Sequence, residues 1–368
     1  MDDESTRRIL DGSSWEEFCE TLKAAGAVVL EESSPDGAFD RAEGFRYLSR
    51  LARAALETFV EDGDPRAPVL QRTAHETVKM GADNPDNYYQ SAPISGKYQY
   101  RITGSRGSVH YLGFGTQAGN YGATGNLKTT GYLDDSQLQL EPDGSFAILV
   151  SCEKRPGAGN WLPMVPESRT LVVRQTFLDR ESETLADLQI RRIDGPHLPR
   201  PVSPQQMDRG LVAAGRFVVG CARLFNQWAA GFAEQVNQLP RFEAGIATAA
   251  GGDPNIVYYH GYWELAPDQA LVIEVTPPEC DYWNLQLNNH WMESIDYRYF
   301  KIWVNKHSAR LREDGSVRVV VAHRDPGVEN WIETCGHDRG TMCWRWIRAA
   351  DHPQPRTRVV EIDELSRE

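Results

Sequence analysis

The sequence is short of everything that marks a membrane span, a nucleic-acid partner or a nucleotide cofactor. No apolar run approaches the length that crosses a bilayer. Basic residues are outnumbered, 39 Lys and Arg against 52 Asp and Glu, for a formal charge of −13. A phosphate backbone calls for clustered Lys and Arg, and an anionic lipid surface calls for a polybasic stretch, so no nucleic acid and no membrane is expected as a partner. There is no Gly-x-Ser-x-Gly nucleophile elbow, no Gly-x-x-x-x-Gly-Lys phosphate loop and no Gly-x-Gly-x-x-Gly opening a helix. Any chemistry here would run without a nucleotide. The six cysteines, at 19, 152, 221, 280, 335 and 343, include no Cys-x-x-Cys pair. That excludes the usual structural zinc spacings and a dense disulfide framework. The acidic start Met1-Asp2-Asp3-Glu4 lacks the basic-then-apolar order of a signal peptide, so the cytoplasm is the expected compartment.

What the chain does contain is a repeat. Asp314-Gly315-Ser316 precedes the apolar run Val317 to Ala322, and then come Asp325-Pro326-Gly327 and Asn330-Trp331. Earlier, Asp143-Gly144-Ser145 precedes Phe146 to Val150, and then come Arg155-Pro156-Gly157 and Asn160-Trp161. The offset is 171 residues at the glycine and 170 at the tryptophan, and an apolar strand follows each copy. A repeat at fixed offset sets the architecture.

The rest of the chain arranges itself around these two copies. Helices are expected at 14–26, with a Ser14/Glu17 capping box, and from Asp40 to about Phe59. Short strands at 97–103, 108–114, 137–140, 146–150 and 171–177 follow, with 119–125 as loop and the Asn- and Asp-rich run Lys79 to Tyr89 as capped turns. Ser203-Pro204 with Gln206 opens a long helix whose wide apolar stripe runs to Pro240. Strands return at 257–265, 270–276, 282–289, 317–322 and 341–347. The expected fold is mainly β with helical additions: two related antiparallel jelly-roll-like β-sandwich halves joined by a long helix, with a helical N-terminal cap. The boundaries are 1–66 for the cap, 67–200 for the first half, 201–254 for the connecting helix and Gly-rich linker, 255–350 for the second half and 351–368 for a surface tail.

Asp281-Tyr282-Trp283-Asn284-Leu285-Gln286-Leu287, the Asp314-Gly315-Ser316 turn, Pro326-Gly327, Asn330-Trp331 and a closing strand with Arg345 resemble bacterial proteins carrying domain of unknown function 1214. The resemblance is clearest over 258–348. A weaker copy at about 97–177 carries Asn160-Trp161-Leu162-Pro163 and Arg174. The chain departs from the pattern at Ile332-Glu333-Thr334, where members commonly have Leu-Pro. The resemblance implies a jelly-roll β-sandwich and transfers no catalytic residue.

Strand alternation selects the candidate site. Asn284, Gln286, Asn288 and His290 share one face, opposite Trp283, Leu285 and Leu287. Tyr258, His260, Tyr262 and Glu264 share another, opposite Tyr259 and Trp263. Such a polar face is either solvated or the lining of a pocket. His260, Glu264, His290 and His337, the last found in the second copy only, are the candidates for proton transfer. Tyr262, Trp291, Tyr297, Asn288 and Arg101 are the candidates for substrate contact. Imidazoles with a carboxylate also suit a metal, but no His-x-His occurs, so no cofactor is expected and a metal is the minor alternative. The recurring Asn-Trp pair is expected to be structural, the Asn satisfying loop backbone. The preferred expectation is an enzyme acting on a bulky organic or aromatic small molecule by nucleotide-independent acid–base chemistry: hydrolysis, elimination or isomerisation. The alternative is a non-catalytic carbohydrate- or small-molecule-binding β-sandwich. Either is compatible with a homo-oligomer.

Overall fold

The structure, a computed structural model, describes residues 4–122 and 125–365. Helices α1 (Glu4–Leu10), α2 (Ser13–Val28) and α3 (Ala38–Leu56, continued by a π turn at Glu57–Glu61) come first. Strands β1 to β8 follow: Asn87–Pro93, Tyr100–Ser105, Tyr111–Asn120, Asn126–Asp134, Ser145–Ser151, Asn160–Pro163, Ser168–Thr176 and Asp187–Arg192. Helix α4 (Pro204–Phe232) and the short α5 (Ala244–Ala249) lead into β9 to β16: Ile256–Glu264, Gln269–Val275, Tyr282–Leu287, Trp303–Asn305, Val317–Ala322, Trp331–Glu333, Arg339–Ile347 and Arg356–Glu361. Helix α6 (Ile362–Leu365) closes the described chain.

The two halves match strand for strand. The first pairs β1-β7-β3-β4 in one sheet and β6-β5-β2-β8 in the other; the second pairs β9-β15-β11-β12 and β14-β13-β10-β16. All neighbours run antiparallel except β5 with β6 and β13 with β14, which are parallel in both copies. The chain crosses repeatedly between the two sheets of each half, in the manner of a jelly roll. The Asp-Gly-Ser turns are also the same. Asp143 and Asp314 each accept the backbone N–H two residues on at 2.9 Å, and Gly144 and Gly315 both sit at φ 80°, a region that glycine enters without strain.

Alternation decides what each strand buries. In the second half Trp283, Leu285, Leu287, Trp344 and Trp346 point between the sheets with Leu271, Ile273, Val319 and Val321. Trp283 stacks on Trp344 with ring centres 4.9 Å apart. Each such buried aromatic contributes on the order of 2–3 kcal/mol through area removed from water. The opposite face of β11 is equally buried but polar, and the segment 82–86 covers it. Tyr282 donates to Asp86 at 2.6 Å, Asn284 to the side chain of Asn84 at 3.0 Å, and Gln286 to the carbonyl of Asp83 at 2.8 Å.

Helices α2, α3 and α4 pack together through Phe18, Ala25, Tyr47, Leu51, Leu211, Ala214, Val218 and Phe225, and this cluster reaches Trp291 and Cys343 of the second half. Ser203 caps α4 as its sequence predicts, accepting the N–H of Gln206 at 3.2 Å. Helix α4 lies hard on the β3–β4 connection. A Cβ on Gly220 would stand 2.6 Å from the backbone of Gly122, so both positions need glycine for the approach.

Several local expectations change. Residues 137–140 are not a strand, because Asn160 holds the backbone of Gln139 as a loop. The strands 87–93, 126–134 and 187–192 lack a clean apolar alternation in sequence and form through pairing with their neighbours. Ser14 makes no cap; α2 begins after Gly12, and the Ser14 hydroxyl goes to Asp208 of α4 at 2.6 Å. Residues 356–361 of the expected tail form β16, paired along β10. Among the described residues, no helix is long and apolar enough to cross a membrane.

Candidate functional site

A cavity of about 920 Å³ lies where the two halves and α4 meet. Its floor is built by the repeat. Arg174, on β7, is in register with Tyr89 of β1; Arg345, on β15, is in register with Tyr258 of β9. The two arginines stand 171 residues apart, the offset of the repeat itself. All four side chains line the cavity.

Local hydrogen bonds fix each group. Arg345 donates to Gln286 at 2.6 Å, to Asn284 at 3.4 Å and to the carbonyl of Ala82. Arg174 donates to the carbonyl of Gly251 at 2.5 Å, and Gln117 donates to the same oxygen at 3.2 Å. The Tyr89 hydroxyl accepts the N–H of Asn84 at 3.0 Å, and the Tyr258 hydroxyl accepts that of Asp253 at 3.4 Å. Neither phenol hydrogen has an acceptor among the described residues. Burial pushes both phenols above their ordinary range although both guanidinium groups pull the other way, so both remain neutral donors. This end of the cavity therefore presents donors.

One part of the wall is aromatic and apolar. Phe217, Phe225 and Trp228 reach in from α4, with Tyr121, Phe242 and Met80 beside them. Their rings meet edge to face or tilted at 5.1 to 6.4 Å, the geometry ring quadrupoles favour. Two acids also line the space. Asp83 accepts both the N–H and the hydroxyl of Ser294, and Asp64 pairs with Arg66.

Of the nine side chains singled out in the sequence, His260 lines this cavity; the other eight lie outside it. His260 stacks on Phe232 at 5.2 Å and on Tyr258 at 6.0 Å, with Phe242 edge-on at 5.0 Å. Burial, helped by Arg345, pulls its pKa down to about 3, so the ring is neutral. Its Nε2 sits 3.9 Å from the Cys343 sulfur, and its Nδ1 has no partner among the described residues.

The structure does not bring the four proton-transfer candidates together. Glu264 is exposed at the end of β9, 3.8 Å from Arg339. His290 and Tyr262 do meet, at 3.0 Å, but inside the core, where the other imidazole nitrogen contacts Asn226 of α4 at 2.8 Å. His337 is buried against Glu43 of α3 at 2.7 Å and joins the N-terminal helices to the second half. Trp291 packs on Tyr47 and donates to the carbonyl of Asp40 at 2.9 Å. Tyr297 lies under the Lys79 ammonium, 4.5 Å from the ring centre, and Asn288 bonds Thr341 at 3.2 Å. Arg101 is exposed on the outer face of the first half, in register with Arg191. Among the described residues, no three His, Cys, Asp or Glu side chains come together as a metal site.

The pair that builds the floor carries a sequence signal that a search for histidines passes over. Arg174 follows the apolar run Leu171 to Val173, Arg345 stands between Trp344 and Trp346, and the two arginines recur at the offset of the repeat.

A family model for proteins of unknown function, DUF1214, matches residues 88–176 and 265–351, one segment in each half. The chain is 51% identical to an uncharacterized protein from Burkholderia cenocepacia whose crystal structure is known. That match covers 97% of this chain and 99% of the other, with a TM-score of 0.95. A structure from Vibrio parahaemolyticus shares the fold at 10% identity and a TM-score of 0.51, covering 93% of this chain and 100% of that one. No curated protein matches.

Proposed function

The chain belongs to the DUF1214 family, and we propose that it is a small-molecule-binding protein whose ligand, a bulky organic molecule, occupies the cavity between the two repeats. The cavity itself carries this reading. Its volume falls in the range of drug-sized ligand sites, and its wall combines a large apolar and aromatic share with polar and charged groups, Arg174 and Arg345 among them. Cores of two sandwiches need no such space, since protein interiors are otherwise close-packed. A concave, largely aromatic wall supports a compact organic ligand over a carbohydrate chain laid on a flat platform.

A catalytic version of the reading rests on His260, the histidine on the wall. A general base works best with a pKa near the operating pH, and an imidazole held near 3 is a weak one. Binding is therefore preferred to acid–base turnover.

Titration of the full chain with N-phenyl-1-naphthylamine, a neutral apolar dye that brightens on leaving water, tests the proposal. Saturable binding at one site is expected. It should be lost in Ala213→Trp, which fills the cavity from α4. Absence of saturable binding, or equal binding by the filled variant, would overturn the reading.

A further inference from the structure

We propose that the ligand is an organic anion, an acid carried on an aromatic or branched hydrocarbon body, and that Arg174 and Arg345 together hold its charged end. This rests on the reading of the cavity as a small-molecule site and adds the chemical class of the ligand.

Charge accounting leads to it. Guanidinium groups stay protonated in proteins, so both arginines bring a full positive charge into a buried place. Neither has a carboxylate within ion-pair distance among the described residues. Their hydrogen-bond partners among the described residues are the neutral oxygens of Gly251, Gln286, Asn284 and Ala82. The acids nearest in influence are engaged elsewhere. Asp253 accepts from Tyr111 and Tyr132 at 2.9 Å each and from the N–H of Asn255. Asp83 is engaged by Ser294. Two unneutralised charges on the floor of one cavity cost stability unless a counter-charge enters.

The neighbouring groups suit the same counter-charge. The phenol hydrogens of Tyr89 and Tyr258, without acceptors among the described residues, offer a carboxylate one donor from each repeat. Planar guanidinium groups match a carboxylate with paired bonds. Arg169 and Arg209 also line the cavity, while Arg66 is paired with Asp64; counting Asp83, the lining remains net positive on a chain whose net charge is −13. Such a lining favours entry of anions over neutral molecules.

The decisive experiment compares two dyes that share one ring system. N-phenyl-1-naphthylamine is neutral, and 1-anilinonaphthalene-8-sulfonate carries an acid. Both are titrated into the full chain and into Arg174→Met, Arg345→Met and Ala213→Trp, each checked for a cooperative melt. The anion is expected to bind roughly tenfold or more tightly than the neutral dye. Each methionine variant should lose most of that preference while keeping the neutral dye. Arg345→Met removes partners of Gln286 and Asn284; if it does not fold, Arg174→Met, with one backbone contact to lose, decides. A matched competition by 2-naphthoate and 2-naphthamide separates carboxylate recognition from an effect of sulfonate alone, and the carboxylate should compete the better. Equal affinity for the two dyes, or a preference that survives Arg174→Met, overturns the proposal and leaves the cavity reading standing. Failure of both dyes to bind, or unchanged anion binding in Ala213→Trp, overturns the cavity reading and this proposal with it.

Discussion

Asn160 and Asn330 occupy the same place in the two repeats and make the same three hydrogen bonds. Each side-chain oxygen accepts the N–H of a loop residue, Gln139 at 2.7 Å or Arg310 at 2.8 Å. Each amide nitrogen donates to that residue's carbonyl and to a strand carbonyl, Ala147 at 3.1 Å or Arg318 at 2.9 Å. The asparagine thus completes the backbone bonding of a loop that no sheet can complete.

Replacing either one strands buried backbone groups, so Asn160→Ala and Asn330→Ala should each cost about 2–3 kcal/mol in urea denaturation. Asn330 also sits at φ 56°, which alanine adopts with difficulty, whereas Asn160 is not in that region. The second substitution should therefore be worse by about 1 kcal/mol. A loss under about 0.5 kcal/mol at either site would contradict the structural role.

His337 and Glu43 form a buried pair whose strength should depend on pH. Burial opposes the imidazolium, but Glu43 outweighs it and lifts the His337 pKa above its ordinary value of 6.5. Burial likewise opposes the Glu43 carboxylate, and His337 and Asn289 outweigh it, so its pKa falls below 4.5. The histidine's contribution is complete below 6.5 and fades as pH rises through its folded pKa. The carboxylate's is complete above 4.5 and fades as pH falls through its own. Their shared maximum lies between these values. His337→Gln should cost on the order of 3 kcal/mol near pH 5.5 and clearly less near pH 9. A loss that does not change with pH would show that hydrogen bonding, not charge, joins α3 to the second half.

His260 and His290 should titrate with the opposite sign. Burial, seconded by an arginine in each case, pulls their pKa values down to about 3 and about 4. The unfolded chain binds protons there that the fold refuses, so stability falls as pH drops below 6.5 toward these values. Each contributes a slope of up to about 1.4 kcal/mol per pH unit. Imidazole nitrogen NMR near pH 6 should find His260 and His290 neutral and His337 doubly protonated. Finding His260 charged would mean that the cavity wall is wetter than its aromatic neighbours imply.

Arg101 faces Arg191 directly across β2 and β8, and neither makes an ion pair among the described residues. Like charges in register repel. Arg101→Thr should therefore raise stability by about 0.2–1 kcal/mol. Dye affinity should not change, since Arg101 lies outside the cavity. A drop in affinity would place the ligand on the outer face of the first half instead.

Much of the fold is legible in the chain because it depends on short-range rules. The Asp-Gly-Ser turns, the inward tryptophans of β11 and β15 and the Ser203 cap follow from local sequence, as does the structural role of Asn-Trp. The site is less legible. Period-two alternation places His260, Tyr262 and Glu264 on one face and is right, but it says nothing of what covers that face. His290 meets the Tyr262 hydroxyl, aromatic rings enclose His260, and water meets Glu264.

The sequence by itself determined that this protein is two copies of one sandwich, because the repeat recurs with turns, strands and an arginine at the same spacing. The tertiary structure decided that the faces of the copies turned away from their sandwich cores meet under one helix. Only that meeting places Arg174 and Arg345 in a single cavity. Partners so far apart in sequence leave no local trace of each other, since the free energy that joins them comes from burying α4 and both sheets at once.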